Sequence, residues 1–314
     1  MWLDRKTGSI QHRKFLDLPE LLKPGDAIVT NNARVIPARL RGEKVPTGGK
    51  IEIFLLRKER EGVWRALAQP GRRLHEGTKV RVGTDGDRWI ELRISEKPGG
   101  AEVLVELPVG VGDTELLRLG EVPLPPYIHE PLKDAERYQT VFAKVEGAVA
   151  APTASLHFDD DVLTGMACRG IQRFELTLLV GPTSFLPVKT ERVEDHRMTE
   201  EWFNVPGDVA AALTGIRRSG GRIVAAGTTV VRTLETCAQG KGIAAGSGQT
   251  KLFITPGYAF RAVDVLITNF HMPASTHLAL VAAFAGLELA RESYRQALAE
   301  TYRFLSFGDA MLIT

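Results

Sequence analysis

Between residues 26 and 107 the chain alternates apolar and charged side chains in short runs, and this pattern constrains its fold more than any other feature. Ile51-Glu52-Ile53 is one example. A period of two residues is typical of a β-strand with one buried face. Glycine and proline pairs separate the runs, so strands are predicted at residues 27–30, 34–41, 51–57, 63–68, 89–94 and 102–107. Short strands with regular turns indicate a small barrel or sandwich that ends near residue 118.

The pattern changes after a stiff proline-rich connector at residues 123–126. Strands are then predicted at 174–180, 222–226, 252–255 and 265–268, and helices at 159–169, 208–219, 228–239 and 276–301. Alternation of strand and helix predicts an α/β layer. The glycine-rich stretch 240–248 follows a helix, so it fits neither a P-loop nor a dinucleotide fingerprint, and we expect a mobile surface loop there.

The composition limits the number of domains and the class of protein. The 314 residues are enough for two domains, and 44% apolar with 25% charged residues is typical of a soluble globular chain. No apolar run approaches a membrane span, and the first residues lack a signal-peptide core, so we expect no membrane association. Two cysteines, Cys168 and Cys237, exclude a disulfide scaffold and predict reduced, buried thiols in a cytosolic protein.

Charge is spread unevenly along the chain. The net charge is +2, but residues 1–100 carry +8, residues 101–200 carry −8 and residues 201–314 carry +2. A basic segment on a nearly neutral protein attracts phosphate groups. An ordinary solvated basic surface is the alternative interpretation.

Polar stretches follow several predicted strands. Gly227-Thr228-Thr229 joins a strand to a helix, where free backbone N–H groups and two hydroxyls suit a carboxylate or phosphate. His271 follows the strand at 265–268, and ligands of open α/β sheets bind beyond the carboxyl ends of strands. A plain capped turn and a structural histidine are the alternatives. No spacing of His, Cys, Asp or Glu is typical of a metal site.

Seven matching segments occur in fixed order, at residues 31–40, 120–128, 137–143, 149–154, 227–235, 267–273, and 302–304 together with 308–313. They resemble one known family, the S-adenosylmethionine:tRNA ribosyltransferase-isomerases of the queuosine pathway. The resemblance implies a six-stranded β-barrel, residues 41–118, inserted into an α/β domain made of residues 1–40 and 119–314. It also implies that members open with some thirty further residues, so this chain is expected to be a shortened or divergent member.

The resemblance implies a reaction as well. The ribosyl part of S-adenosylmethionine, a co-substrate, is transferred to 7-aminomethyl-7-deazaguanine at the wobble position of tRNA. It is isomerised to the epoxycyclopentane of epoxyqueuosine, and adenine and methionine leave. The expected partner is tRNA with a GUN anticodon; the protein is expected to be a cytoplasmic monomer with no bound cofactor and no metal.

The reaction needs a base for the carbon beside the sulfonium and an acid or hydrogen bond for adenine. Among the titrating groups in the matching segments, which include His196, we predict His271 for proton transfer, with Asp309 as its orienter or as the acid, and His157 as a third catalytic candidate. Gly227, Thr228 and Thr229 are predicted to hold the methionyl carboxylate. The other predicted substrate-binding residues are Arg34, Tyr138, Gln139, Thr140, Pro152, Thr153, Arg232, Asn269, Phe270 and Arg303. The predicted tRNA-binding residues are Arg39, Arg72 and Arg73.

Departures from the family pattern cluster between residues 179 and 199. Leu179 and Thr199 each stand where the family has histidine, and residues 182–188 differ as well. Outside this region, Ser155 replaces a glycine and Ala33 a threonine. These changes leave two alternatives open: a paralogue that uses S-adenosylmethionine on another acceptor, and a non-catalytic RNA-binding protein.

Overall fold

The computed structural model describes residues 1–72, 74–83, 88–130, 132–181 and 188–314. They divide into two units. The first comprises Met1–Arg34, Glu136–Val145 and Ala151–Thr314; the second comprises Val35–Ala135 and Glu146–Ala150. The chain therefore passes between the units four times. The boundaries predicted for the barrel, residues 41 and 118, both fall inside the second unit.

The first unit is built on a nine-stranded mixed sheet. Its order is β17 (Gly246–Thr250), β13 (Glu201–Val205), β12 (Gln172–Leu178), β3 (Ala27–Asn31), β14 (Ile223–Ala226), β18 (Val265–Asn269), β19 (Ala310–Ile313), β1 (Trp2–Asp4) and β2 (Ser9–Gln11). The four strands from β12 to β18 are parallel to one another. Every residue of β3, β14 and β18 is buried, as expected for strands covered on both faces.

Helices cover this sheet. They are α1 (Leu18–Leu21), α3 (Asp160–Cys168), α4 (Gly207–Arg218), α5 (Thr228–Thr236), α6 (Thr276–Ala285) and α7 (Leu287–Ala299). Leu18, Val162 and Met166 from α1 and α3 form one core cluster with Ile28 and Ile267 of the sheet. The short 3-10 helices of this unit lie at Phe15–Asp17, Thr153–His157 and Val193–Asp195.

The second unit contains a closed barrel of six antiparallel strands. Around the barrel these are β10 (Glu102–Glu106), β7 (Val63–Gln69), β6 (Lys50–Arg60), β5 (Arg39–Val45), β8 (Lys79–Gly83) and β9 (Trp89–Gly99). Alternate residues such as Ile51, Ile53 and Leu55 point into its core, which α2 (Asp113–Arg118) helps to close through Leu116. The closed barrel and the mixed sheet with its helices confirm the predicted fold class, an α/β domain with an inserted six-stranded β-barrel.

Individual strands of the barrel differ from their prediction. The run at 27–30 belongs to the sheet as β3, and the run at 34–41 divides into β4 (Ala33–Val35) and β5. The sixth barrel strand is β8, which was not predicted although Val80 and Val82 alternate inward along it. Five residues between two turns are too few for the pattern to stand out.

Several elements of the first unit also differ from their prediction, because tertiary contacts decide them. The predicted loop at 240–248 contains strands: β16 (Gly242–Ile243) pairs with β15 (Ala238–Gln239), and β17 pairs with β13. No strand forms at 252–255. The helix predicted over 276–301 breaks at Gly286, whose φ of +86° suits glycine and ends α6. Cys237 is buried as predicted, but Cys168 is exposed at the end of α3.

A buried carboxylate joins α5 to the segment before β18. Oε1 of Glu235 accepts hydrogen bonds from the backbone N–H groups of Ala262 (2.9 Å) and Val263 (3.1 Å). Oε2 accepts from the N–H of Arg261 (2.9 Å) and from the hydroxyl of Tyr258 (3.2 Å). Only 1% of Glu235 is exposed, so these bonds replace water around the carboxylate.

We therefore expect Glu235→Gln to lower the free energy of unfolding by about 2–4 kcal/mol, because an amide N–H₂ then faces backbone donors. Urea denaturation measures this loss. The control is Glu288→Gln on the exposed surface of α7, where a change within about 0.5 kcal/mol is expected. Equal stability of the two variants would contradict the role given to Glu235.

Candidate active site

Four parallel strands bring their carboxyl ends to one edge of the sheet. The chain leaves β3 at Asn31, β14 at Gly227 and β18 at Asn269. β19 runs antiparallel to β18 with Ala310 opposite Asn269, so Asp309 comes to the same edge. Because ligands of open α/β sheets bind beyond the carboxyl ends of strands, a ligand-binding site is expected at this edge.

Asn269 connects three segments at this edge. Its Nδ2 donates to the carbonyl oxygen of Leu305 at 3.1 Å and lies 3.1 Å from Nε2 of His157. The hydroxyl of Thr153 donates to Oδ1 of Asn269 at 3.2 Å. Since Nδ2 is a donor, Nε2 of His157 accepts, and the proton of the neutral ring lies on Nδ1.

The His157 ring is stacked against an aromatic side chain. The ring centroids of His157 and Phe15 are 5.1 Å apart. Burial lowers the pKa of His157 to about 4, against the opposing effect of the Asp309 carboxylate. At neutral pH the imidazole is therefore uncharged and available as a proton acceptor.

Asp309 is held by its own loop. The N–H of Arg303 donates to Oδ2 of Asp309 at 2.6 Å, and the N–H of Asp309 donates to the carbonyl oxygen of Arg303 at 2.7 Å. The guanidinium of Arg303 is 3.7 Å from Oδ1, but 77% of this side chain is exposed. The structure thus brings together His157, Asn269, Thr153 and Asp309.

A cavity of about 440 Å³ opens beside His157 and Asp309. Phe15, Ile267 and Tyr302 contribute apolar and aromatic walls. Both the volume and the mixture of apolar walls with a few polar groups are typical of small-molecule sites.

His271 lies away from this group. Its Nε2 is 2.8 Å from the hydroxyl of Thr268, and its backbone N–H donates to the Tyr294 hydroxyl at 2.9 Å. Its ring stacks on His277 with centroids 5.0 Å apart. Burial lowers the pKa of His271 well below its usual value, and the neighbouring His277 acts in the same direction.

No hydrogen bond or ion pair joins His271 to Asp309 in the part of the chain that the structure describes, so Asp309 does not orient His271 there. Proton transfer by His271 and the role of Asp309 as the acid stay predictions. Side chains alternate along a strand, so Thr268 and Asn269 point to opposite faces of β18. His271 folds back onto the Thr268 face. Asp309 and His157 lie on the Asn269 face.

A second polar cluster surrounds the start of α5. Arg232 forms a buried ion pair with Glu201 and donates from Nε to the carbonyl oxygen of Leu252 at 2.9 Å. The N–H of Gly181 donates to Oε1 of Glu201 at 2.8 Å. Nη2 of Arg232 and Oγ1 of Thr229 have no partner among the described residues.

The space at this cluster is small. Thr228, Thr229, Arg232 and His277 line a cavity of about 10 Å³, which is the size of one water molecule. Gly227 has a φ of +103°, which only glycine adopts without strain. The residues predicted for a carboxylate thus lie together, but they do not line the cavity beside His157.

The remaining predicted substrate-binding residues are dispersed through the first unit. Arg34 forms an ion pair with Glu136, and the buried Thr140 accepts from the N–H of Phe142 at 3.3 Å. Tyr138 is fully buried. Gln139 is half-buried, and Phe270 is buried among aromatic rings. Pro152 is buried directly before the 3-10 helix Thr153–His157. His196 packs edge-on against Phe253.

Cations on the barrel are mostly paired with carboxylates. Arg39 lies 3.6 Å from a carboxylate oxygen of Glu52. Seven other cations also lie within 4.0 Å of a carboxylate oxygen: Arg41, Arg57, Lys58, Arg65, Lys79, Arg81 and Arg93. Arg72 is exposed in a turn after β7. Arg73 lies outside the described residues.

Two residues of the second polar cluster were not predicted. His277 lies in α6, and Glu201 is the first residue of β13. A signal for Glu201 exists in the sequence, since Arg232 lies within the apolar run Val230–Leu234 and a buried arginine requires a carboxylate. Nothing comparable indicates His277.

Comparison with known proteins identifies the family. The family described as "Queuosine biosynthesis protein" matches residues 1–313. The chain belongs to this family.

Relatives in the family are similar along their whole length. A Symbiobacterium thermophilum protein named S-adenosylmethionine:tRNA ribosyltransferase-isomerase is 47% identical over 100% of this chain and 92% of its own. A Moorella thermoacetica protein of the same name is 48% identical over 99% and 91%. The crystal structure of the Thermotoga maritima S-adenosylmethionine tRNA ribosyltransferase is 35% identical, covers 100% of this chain and 91% of that one, and superposes with a TM-score of 0.55.

Two structural features are absent from the described part of this queuosine family member. Among the described residues, no group of three or more His, Cys, Asp or Glu side chains is arranged to hold a metal ion. None of the helices within those same ranges is both long and apolar enough to cross a bilayer.

Buried histidines predict how the stability of this family member depends on pH. Burial lowers the pKa of both His157 and His277 to about 4, whereas an unfolded histidine titrates near 6.5. Between these values the unfolded chain binds protons that the folded chain does not. The free energy of unfolding therefore falls as the pH drops from about 6.5 to 4, by at most about 1.4 kcal/mol per pH unit for each histidine.

Denaturation of His277→Gln over this range should give a shallower slope than the wild-type protein. The exposed His129→Gln is the control and should leave the slope unchanged. A His277→Gln slope equal to that of the wild-type protein would show that His277 is protonated in the folded state.

Proposed function

We propose that this protein is an S-adenosylmethionine:tRNA ribosyltransferase-isomerase of queuosine biosynthesis. It transfers the ribosyl part of S-adenosylmethionine to 7-aminomethyl-7-deazaguanine in tRNA, isomerises it to the epoxycyclopentane, and releases adenine and methionine. One observation carries the proposal at the level of the site. Three of the family segments, 149–154, 267–273, and 302–304 together with 308–313, are far apart in the sequence and converge through Thr153, Asn269 and Asp309.

The finer assignments follow from this reaction. The tRNA substrate has a GUN anticodon, because the wobble base must be the deazaguanine. S-adenosylmethionine is consumed as a co-substrate, and no cofactor remains bound. The protein works as a monomer in the cytoplasm, where the tRNA substrate is found.

The cavity favours His157 over His271 as the proton acceptor. His157 lines the cavity together with Asp309, whereas His271 does not. Nε2 is the accepting atom, since Nδ1 carries the ring proton. For Nε2 to accept a proton from the substrate, its hydrogen bond from Nδ2 of Asn269 has to break. The carboxylate of Asp309 stabilises the imidazolium that forms, and this charge stabilisation is greatest where water is excluded.

The residues around the reacting atoms bind the rest of the substrates. Thr153 and Asn269 fix the position of the His157 ring, and Phe270 fixes the loop that follows β18. The substrate-binding set also includes Arg34, Tyr138, Gln139, Thr140, Pro152 and Arg303. The start of α5, with Gly227, Thr228, Thr229 and Arg232, takes the methionyl carboxylate, for which the cavity of about 10 Å³ there has to widen. Arg39, Arg72 and Arg73 contact tRNA phosphates.

Transfer to a different acceptor is the second candidate function. The observation that favours it is the cluster of departures between residues 179 and 199, where Leu179 and Thr199 replace histidines of the family.

One assay tests the reaction and the alternatives together. Incubation with S-adenosylmethionine and tRNA that carries 7-aminomethyl-7-deazaguanine should release one adenine per modified nucleoside, and the nucleoside should gain the mass of the epoxycyclopentane. Adenine release with no change in the nucleoside would indicate another acceptor. Binding of tRNA with neither product would indicate a non-catalytic protein.

Replacement of the two histidines separates their roles. His157→Gln should bind both substrates and lose roughly 10²–10⁴ in the single-turnover rate of adenine release, which is the usual contribution of general acid–base catalysis. His271→Gln is the matched variant, and we expect less than about a tenfold loss. A larger loss of rate in His271→Gln than in His157→Gln would assign proton transfer to His271.

A further inference from the structure

The loop that precedes β19 is held in a strained conformation. Thr301 has a φ of +56° and Leu305 a φ of +73°, in the left-handed region that non-glycine residues rarely adopt. Leu305 is fixed on both sides, since its N–H donates to the Phe270 carbonyl at 2.9 Å and its carbonyl accepts from Asn269. Strain of this kind persists where surrounding structure enforces it, and it is concentrated at functional sites.

A close approach within the loop makes it tighter. A Cβ at Gly308 would lie 2.4 Å from the carbonyl carbon of Phe304 and 2.5 Å from the carbonyl oxygen of Arg303, so only glycine fits. The hydrogen bonds between Arg303 and Asp309 close the loop at its base. Residues 302–309 therefore form a rigid element rather than a flexible loop.

This element presents different groups to the cavity and to solvent. Asp309 lines the cavity. Arg303 and Phe307 are turned to solvent, with 77% of the Arg303 side chain and 38% of Phe307 exposed. The Phe307 ring packs against Tyr138 with centroids 6.0 Å apart, which fixes its position at the surface.

The cavity wall also carries cations that lack a carboxylate partner. Arg13 and Lys14 line the cavity and are exposed, and neither forms an ion pair with any residue in the described ranges. Most cations of the barrel, in contrast, are paired with carboxylates. Phosphate groups are bound most readily by cations that carry no internal partner.

We propose that the loop of residues 302–309 is a docking element for the anticodon loop of tRNA, in which Phe307 stacks on an unpaired base beside the modified nucleotide, while Arg13 in the cavity wall contacts a phosphate. This inference rests on the proposed function, since it takes tRNA as the substrate. It adds Phe307, which the sequence did not indicate, to the RNA-binding residues.

The chemistry of the reaction explains why such an element is needed. A base that reacts inside a cavity has to leave the stack of its neighbours, and this costs stacking energy. The exposed ring of Phe307, two residues from the cavity-lining Asp309, replaces the lost stacking partner for the neighbouring base. Stacking on aromatic side chains does not depend on base identity, whereas the contact of Arg13 with phosphate depends on salt.

Measurement of tRNA affinity as a function of salt tests the proposal on the full-length protein. Phe307→Ala should weaken binding roughly 5- to 150-fold with an unchanged salt slope, and Arg13→Gln should reduce the slope by about 0.7. Phe307→Leu keeps the apolar contact with Tyr138 but lacks a ring, so it should also weaken binding while the melting temperature stays the same. Phe307→Tyr should bind as the wild-type protein does.

A second exposed aromatic residue provides the control. Trp202 on β13 is 39% exposed, and Trp202→Ala should bind tRNA within about twofold of the wild-type protein. Wild-type-like binding by both Phe307→Ala and Phe307→Leu overturns the proposal, as does an equal loss of S-adenosylmethionine affinity in these variants. If the wild-type protein itself neither binds tRNA nor releases adenine, the proposed function fails instead.

Discussion

The parallel alignment of β12, β3, β14 and β18 is the constraint on which the site depends. Parallel strands place all their carboxyl ends at one edge. The segments that leave β3, β14 and β18 resemble the family, whereas the segment that leaves β12 holds the departures from it. Asn269 then fixes these segments to one another through hydrogen bonds to Thr153, His157 and Leu305. Chain segments more than a hundred residues apart are thereby held at hydrogen-bonding distance.

The two-residue period of β18 divides the polar groups at this edge into two sets. Asn269 joins His157 on one face, and Thr268 joins His271 on the other. Both histidines have a lowered pKa because burial disfavours the charged ring. What distinguishes them chemically is access: His157 lines a cavity large enough for a small molecule, whereas His271 is packed between Thr268 and His277.

Sequence patterns predicted elements well where one face of a strand is buried, and poorly where a partner strand decides the outcome. β6 and β9 alternate visibly, but β17 is rich in glycine and becomes a strand only because β13 supplies its hydrogen bonds. There the Phe203 ring lies 3.2 Å from where a Cβ of Gly248 would be. Of the candidate residues that the resemblance predicted, the structure brings His157, Asn269 and Asp309 together, but no linear pattern showed that His271 folds to the opposite face. The exposure of Phe307 could not be predicted, because it depends on the loop around it.

The order in which the strands are made has a consequence for synthesis on the ribosome. All six barrel strands lie between Arg39 and Glu106, so they are made before β12 and β14, and of the barrel core only later residues such as Leu116 and Val149 are still to come. β3, in contrast, pairs with β12 and β14, whose first residues are Gln172 and Ile223. At the usual rates of translation, about 7 to 30 s separate β3 from the start of β12. During that interval the apolar strand Ala27–Asn31 has no sheet to join, so both of its unpaired edges are open to aggregation with other chains.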